Sequence, residues 1–244
     1  MRGIRTIDGR ARGACGAAAL LLAACGGESA RTGDSARAGD TTATAAAAAD
    51  ADPTRAASGG TGVPAGYTAR TDRTGDAITN ARYTARDGVW EVQTGPAHIV
   101  WAPRDTASGR YVARARFTQL EAPSHPEAFG LLVGGQALEG AGQRYTYFVV
   151  RGTGEFLIRV REGAGTRDVQ GWTAAPALAK QDGSGRASYA LAVRVDPDST
   201  RFLVGDTPVH AVAAGTVPTD GIAGVRINHN LRLEVEPVRV ERGG

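Results

Sequence analysis

Tyr111-Val-Ala-Arg-Ala-Arg-Phe117 puts Tyr111, Ala113, Ala115 and Phe117 on one face and Val112, Arg114 and Arg116 on the other. Side chains alternate across a strand, so this is the pattern of a β-strand with one dry and one wet face. Phe156-Leu-Ile-Arg-Val-Arg161 repeats it, with Phe156, Ile158 and Val160 facing one way and Leu157, Arg159 and Arg161 the other. Tyr189-Ala-Leu-Ala-Val-Arg-Val195 does so through Leu191, Val193 and Val195. Further strands are expected at Trp90–Thr94, His98–Trp101, Phe129–Val133, Arg144–Arg151, Arg201–Val204, Val209–Val212, Ile222–Asn228 and Leu231–Val240. Turn sequences separate them, among them Asp105-Thr-Ala-Ser-Gly109, Gly152-Thr-Gly154, Asp182-Gly-Ser-Gly185 and Asp196-Pro-Asp198. No long helical period occurs; Ala174 to Lys180 has room for one helical turn. Some eleven short strands in about 165 residues indicate an all-β, two-sheet antiparallel sandwich. A chain of this size buries roughly 70% of its unfolded surface in one core.

Upstream of this β region the sequence changes character. The chain has 244 residues, and its first 24 carry Arg2, Arg5, Arg10 and Arg12 against Asp8 alone. An apolar stretch, Ala14 to Ala24, follows. It is too short to span a bilayer, which takes about 18 apolar residues or more, but it suits the apolar region of a secretory signal. Leu22-Ala23-Ala24-Cys25 resembles the lipobox of bacterial lipoproteins. The resemblance implies that 1–24 is a signal peptide, removed when Cys25 is acylated. Cys15 would go with the leader, which leaves no second thiol for a disulfide. One acyl chain holds a protein only marginally, and the lipoprotein family carries several. The expected partner is therefore a membrane, and the expected location is the extracytoplasmic face of a bacterial envelope. Gly26 after the Cys favours the outer membrane where there is one.

Residues 26 to 62 contain no Val, Ile, Leu, Met, Phe, Trp or Tyr. Such a segment cannot bury enough apolar area to offset its ordering entropy. Residues 25–80 are read as a lipid-bearing Cys and a flexible tether; a coil of about 40 residues spans roughly 35 Å. The folded domain is placed at 81–244. The formal net charge of +3 comes from the leader: without it, 24 basic residues face 24 acidic ones. No nucleic-acid partner is expected.

The order of segments resembles the concanavalin A-like lectin/glucanase jelly roll, and within it the secreted bacterial DUF1080 (3-keto-disaccharide hydrolase-like) domains. The residues that carry this likeness are Thr94-Gly-Pro-Ala-His-Ile99, His125-Pro126 with Phe129-Gly130, Gly134-Gly135, Tyr145-Thr-Tyr147-Phe148, Gly154-Glu-Phe156, Trp172 and Gly221-Ile-Ala-Gly-Val-Arg-Ile-Asn-His-Asn230. It implies a jelly roll whose ligand is a carbohydrate. It also leaves room for hydrolysis of a modified disaccharide through His125, Glu127 and His229. A third reading is a structural or protein-interaction lipoprotein that binds no sugar.

The residues bear on these readings unequally. Jelly-roll glucanases place their two carboxylates on one strand as Glu-x-Asp-x-(x)-Glu, and no such run occurs. Glu234-Val-Glu236 reads as a solvated edge face. Arg226, Asn228 and His229 offer donors and acceptors suited to hydroxyls or a carboxylate, or else caps for a turn. Tyr145, Tyr147, Arg159, Arg161 and Trp172 can line one surface, where rings stack on sugars and Arg grips acidic groups; the tyrosines fit a core equally well. The spacing of His125, Glu127 and His229 is not diagnostic of a metal, so no metal ligands are assigned. No cofactor is expected, with calcium, which many proteins of this fold carry, as the open alternative. Asp196-Pro-Asp198 is the nearest candidate loop and reads as a β-turn.

Overall fold

A computed structural model describes residues 62–243 of the chain. The leader, Cys25 and the tether up to residue 61 lie outside the described residues. Fourteen strands follow one another: β1 (Thr68–Thr71), β2 (Arg82–Arg86), β3 (Val89–Gln93), β4 (His98–Ala107), β5 (Tyr111–Gln119), β6 (Ala128–Gln136) and β7 (Arg144–Arg151). The second half holds β8 (Glu155–Glu162), β9 (Gly165–Ala174), β10 (Ala187–Val195), β11 (Ser199–Val204), β12 (Thr207–Ala213), β13 (Gly221–Ile227) and β14 (Arg232–Arg242). They form two antiparallel seven-stranded sheets, the first in the order β1-β4-β13-β6-β7-β8-β9 and the second in the order β12-β11-β10-β5-β14-β3-β2. The chain steps between the sheets at β1–β2, β3–β4, β4–β5, β5–β6, β9–β10, β12–β13 and β13–β14, which makes the sandwich a jelly roll.

The alternating strands bury the faces their sequences mark. Tyr111, Ala113, Ala115 and Phe117 of β5 and Leu191, Val193 and Val195 of β10 meet Phe156, Ile158 and Val160 of β8 in one core between the sheets. Arg114 and Arg116 turn to solvent, where they face Glu241 and Glu236 on β14 at 3.4 Å each. Glu234 and Glu236 do lie on this wet face, but β14 sits inside the sheet between β5 and β3 and not at its edge.

Three strands carry too weak a pattern to read from sequence. β1 is Thr-Ala-Arg-Thr, half-buried throughout, and is placed by backbone pairing with β4. It lies with a 3-10 turn, Ile78–Asn80, inside the span read as tether, so the folded domain starts upstream of residue 81. β2 buries only Tyr83, and β9 is an edge strand with no fully buried residue. The stretch from Ala174 to Lys180 is no helix; a single turn closed by Leu178 N to Ala175 O at 2.9 Å plugs Leu178 into the core.

Gly134 marks a bulge in β6, with φ at +66°. A Cβ there would lie 2.5 Å from the Pro218 carbonyl oxygen, which accepts a hydrogen bond from Thr146 Oγ1 at 2.7 Å. Gly134→Ala therefore combines left-handed strain with a backbone clash. It should cost about 2 kcal/mol or more, and urea unfolding would measure it; a loss within error would show the bulge to be pliable.

Candidate functional site

Three of the crossings between sheets, 94–97, 120–127 and 228–231, gather at one end of the sandwich. Thr94 N donates to Leu231 O and Leu231 N to Thr94 Oγ1, at 2.9 and 2.8 Å, and Leu120 N donates to Arg232 O at 2.9 Å. Asn228 N, just past β13, donates to Ala128 O, at the start of β6. These ties bring the 120–127 loop against the 228–231 turn. Asn230 turns the chain there with φ at +58°, a conformation Asn tolerates, and its side-chain amide donates to Ser124 Oγ at 2.5 Å.

The two histidines of the sequence reading converge here. His125 Nε2 and His229 Nε2 lie 2.7 and 2.8 Å from the same atom, Glu127 Oε1. Asn228 Nδ2 donates to the other oxygen, Oε2, at 3.0 Å. Glu127 is buried, His229 partly so, and His125 is half exposed. A buried carboxylate needs compensation for its lost hydration, and these three side chains supply it.

Arg226 is the next outward-facing residue back along β13. Its guanidinium grips Asp72 with two hydrogen bonds, 2.9 and 2.6 Å, lies 5.0 Å over the Tyr147 ring and reaches Tyr145 Oη at 3.4 Å. Burial alone would ease its proton off; the hydrogen bonds to Asp72 reverse that and hold it firmly charged. Burial likewise works to raise Asp72, and the hydrogen bonds from Arg226 override it, so its pKa falls below the ordinary value. Asp72 follows directly on β1 and reaches Arg226 across β4. It lies in the stretch read as tether, where no sequence signal marks it as a partner.

The outward face of the first sheet is an ordered grid. One rung of backbone partners runs Thr68, Trp101, Gly224, Leu132, Tyr147, Arg159 and Asp168 from β1 to β9. The next runs Arg70, Ile99, Arg226, Gly130, Val149 and Leu157. Tyr145 and Tyr147 are buried on this face with Ile99, Trp101, Leu132 and Leu157, in a cluster separate from the sandwich core. The two alternatives weighed for the tyrosines thus merge: they share the surface with the arginines and are also packed. Arg159 is held by Asp168, a pairing hidden from sequence because β9 is. Arg161 pairs in register with Tyr145, and its Nε is buried with no hydrogen-bond partner among the described residues. Trp172 is well exposed, with the Arg151 guanidinium 4.2 Å above its ring.

Asp72, Arg73, Asp76, Ala97, Arg226, Asn228 and His229 line a cleft of about 150 Å³. Two carboxylates, Asp72 and Asp76, and two guanidinium groups, Arg73 and Arg226, bring both charges to it. Asn228 Oδ1 has no hydrogen-bond partner among the described residues, although the amide of the same side chain is engaged by Glu127. Asp196 and Asp198 are occupied by Arg201 at 2.7 and 4.0 Å, in a turn closed by Asp196 N to Ser199 O.

No family model matches the chain, and no curated protein does. Solved structures do. The chain is similar to the carbohydrate-binding module CBM66 from Bacillus subtilis, with 10% identity over 72% of this chain and 95% of that one and a TM-score of 0.52. It is similar to a protein of unknown function with a galectin-like fold, also from Bacillus subtilis, with 12% identity, 78% and 94% coverage and a TM-score of 0.51. A mixed-linkage glucan GH16 protein from Bacteroides ovatus follows, with 7% identity, 75% and 98% coverage and a TM-score of 0.50. Identities this low establish the fold alone: the sandwich is a jelly roll of the concanavalin A-like and galectin-like class.

Proposed function

We propose that the sandwich binds carbohydrate, in the cleft bounded by Asp72, Arg226, Asn228 and His229, and that it is presented from a membrane by lipid on Cys25. The observation that carries the first part is the gathering of Asp72, Arg73, Asp76, Arg226, Asn228 and His229 around one cleft, which presents donors and acceptors to the hydroxyls of a sugar. Arg73 and Asp76 offer complementary groups to neighbouring hydroxyls. The likeness to a carbohydrate-binding module and to a glucan-related protein agrees with this reading. A cleft this small suits one sugar unit at a chain end, since sites for larger ligands run to roughly 300 Å³ or more.

A saccharide panel read by thermal shift on the full chain tests it. A ligand at 100 times its Kd adds about 2.7 kcal/mol of stability. Asn228→Ala should cut the affinity at least tenfold while leaving the sandwich folded. The absence of a shift with every sugar would overturn the reading in favour of a protein-interaction role.

A second reading, hydrolysis of a modified disaccharide, draws on the convergence of His125, Glu127 and His229. Product formation that His229→Ala abolishes without unfolding would support it. The lipid is tested separately, by mass spectrometry of the mature N-terminus and its loss in Cys25→Ser.

A further inference from the structure

His125, Glu127 and His229 do more than neutralise one another. We propose that they form a divalent transition-metal site, with zinc as the ion of best fit, bound through the two imidazole Nε2 atoms and a Glu127 oxygen. The inference stands apart from the question of sugar binding and rests on four features of the cluster.

The donors come first. Two imidazoles and one carboxylate, with one coordination position left to water, is the donor set of open zinc sites, whereas calcium takes six to eight oxygens. The second feature is convergence. The three ligand atoms lie within 4.8 Å of one another, and both imidazoles aim the same nitrogen at one oxygen. Bonds of about 2.0–2.2 Å at tetrahedral angles set ligand atoms roughly 3.4 Å apart. The present contacts of 2.7 and 2.8 Å must open by a little over half an ångström to admit an ion. His125, half exposed on the crossing loop, has the freedom to make that change.

The third feature is the outer set of hydrogen bonds. Ligating groups are held by partners on their far sides, which fix ring orientation and tautomer. Here Asn228 Nδ2 holds Glu127 Oε2 at 3.0 Å. Ser124 Oγ sits 3.2 Å from His125 Nδ1, on the side of the ring away from Glu127, and is itself fixed by Asn230 Nδ2. The ligands are thus already turned toward a common point. The fourth is access. The cleft lined by His229 and Asn228 lies on one side of the cluster, and another of about 170 Å³, lined by Ser124, His125 and Pro126, lies on the other. An ion would clamp the β5–β6 crossing to the β13–β14 turn and leave its open position facing solvent.

The test is calorimetric titration of ZnCl2 into the full chain, prepared without a polyhistidine tag and stripped with EDTA. Cys15→Ser and Cys25→Ser are included so that no thiol competes. One equivalent is expected to bind with a Kd in the micromolar range or tighter and to raise Tm, while CaCl2 gives neither effect. His125→Ala, at an exposed position that leaves folding intact, and His229→Ala should each weaken binding at least tenfold; His210→Ala, on β12, should not change it. Cobalt substitution should give the visible spectrum of a four- or five-coordinate nitrogen–oxygen site. The proposal fails if zinc produces no heat and no shift in Tm, if calcium binds in its place, or if the His125→Ala/His229→Ala double variant still takes up one equivalent.

Discussion

Arg226→Ala should be among the most damaging substitutions in the sandwich, costing about 3 kcal/mol, equivalent to a fall in Tm of roughly 6–12 °C. The reason is what it leaves behind. Asp72 is one-quarter exposed and Arg226 one-tenth, so removing the guanidinium strands a carboxylate in a place where water restores little of its hydration. Tyr145 loses its polar neighbour and Tyr147 the cation above its ring in the same step. A cycle with Asp72→Asn separates the pair from the packing. The double variant should be more stable than the sum of the single losses predicts, because the orphaned charge is gone. Thermal melts of the four proteins decide it, and a loss below about 1 kcal/mol for Arg226→Ala would mean that Asp72 turns out to solvent unaided. On the proposed function, sugar affinity should fall as well, since Arg226 lines the cleft.

The second large effect is a loss of stability in mild acid. His98 is fully buried at the start of β4, with Nδ1 donating to Pro96 O at 2.7 Å and Nε2 accepting from Tyr83 Oη at 2.5 Å. The carbonyl can only accept, so Nδ1 carries the proton and Nε2 the lone pair. Burial pushes His98 down from 6.5 to about 4, against the opposing pull of the Pro96 carbonyl and Asp72. Below pH 6.5 the unfolded chain therefore binds a proton that the folded chain refuses. Stability is intact above about pH 6.5, falls as the pH drops toward 4, and levels off beneath it. The full drop is about 3 kcal/mol, from some 1.4 kcal/mol per pH unit. Asp72, whose pKa is depressed, gives up its share only below about pH 3.8, and Asp105, raised by burial, works in the opposite direction. Urea unfolding at pH 7 and 4.5 should show the fall, and His98→Gln should flatten it. An equal slope in that variant would assign the acid sensitivity elsewhere.

The fold was legible where a strand buries one face and wets the other. β5, β8 and β10 each carry that alternation, and each packs as read. β1 and β9 are edge strands whose polar sequences carry no such signal, since what places them is backbone pairing with a neighbour. The candidate site was legible in part for a related reason. His125, Glu127, Asn228 and His229 belong to two crossings a hundred residues apart, and their residue types drew attention before their proximity was known. Asp72 and Asp168 went unread because each is an ordinary acidic residue whose importance comes from the arginine it meets. Trp172, read as part of the arginine and tyrosine face, is exposed and stacks with Arg151, which alternation places on the same side of β7 as Tyr145 and Tyr147.

The position of β1 also decides how the sandwich meets a mechanical load. Tension on the chain upstream of residue 62 first meets Gly62 N bound to Ala81 O and Tyr67 packed edge-on against Trp90, and then the four backbone pairs of the edge strand, Thr68 with Trp101 through Thr71 with His98. The next restraint in line is Asp72, locked to Arg226 in the wall of the cleft. Pulling hard enough to peel off the edge strand would therefore strain the wall of the cleft on the outer face of the sheet while the central strands between the two sheets stayed packed.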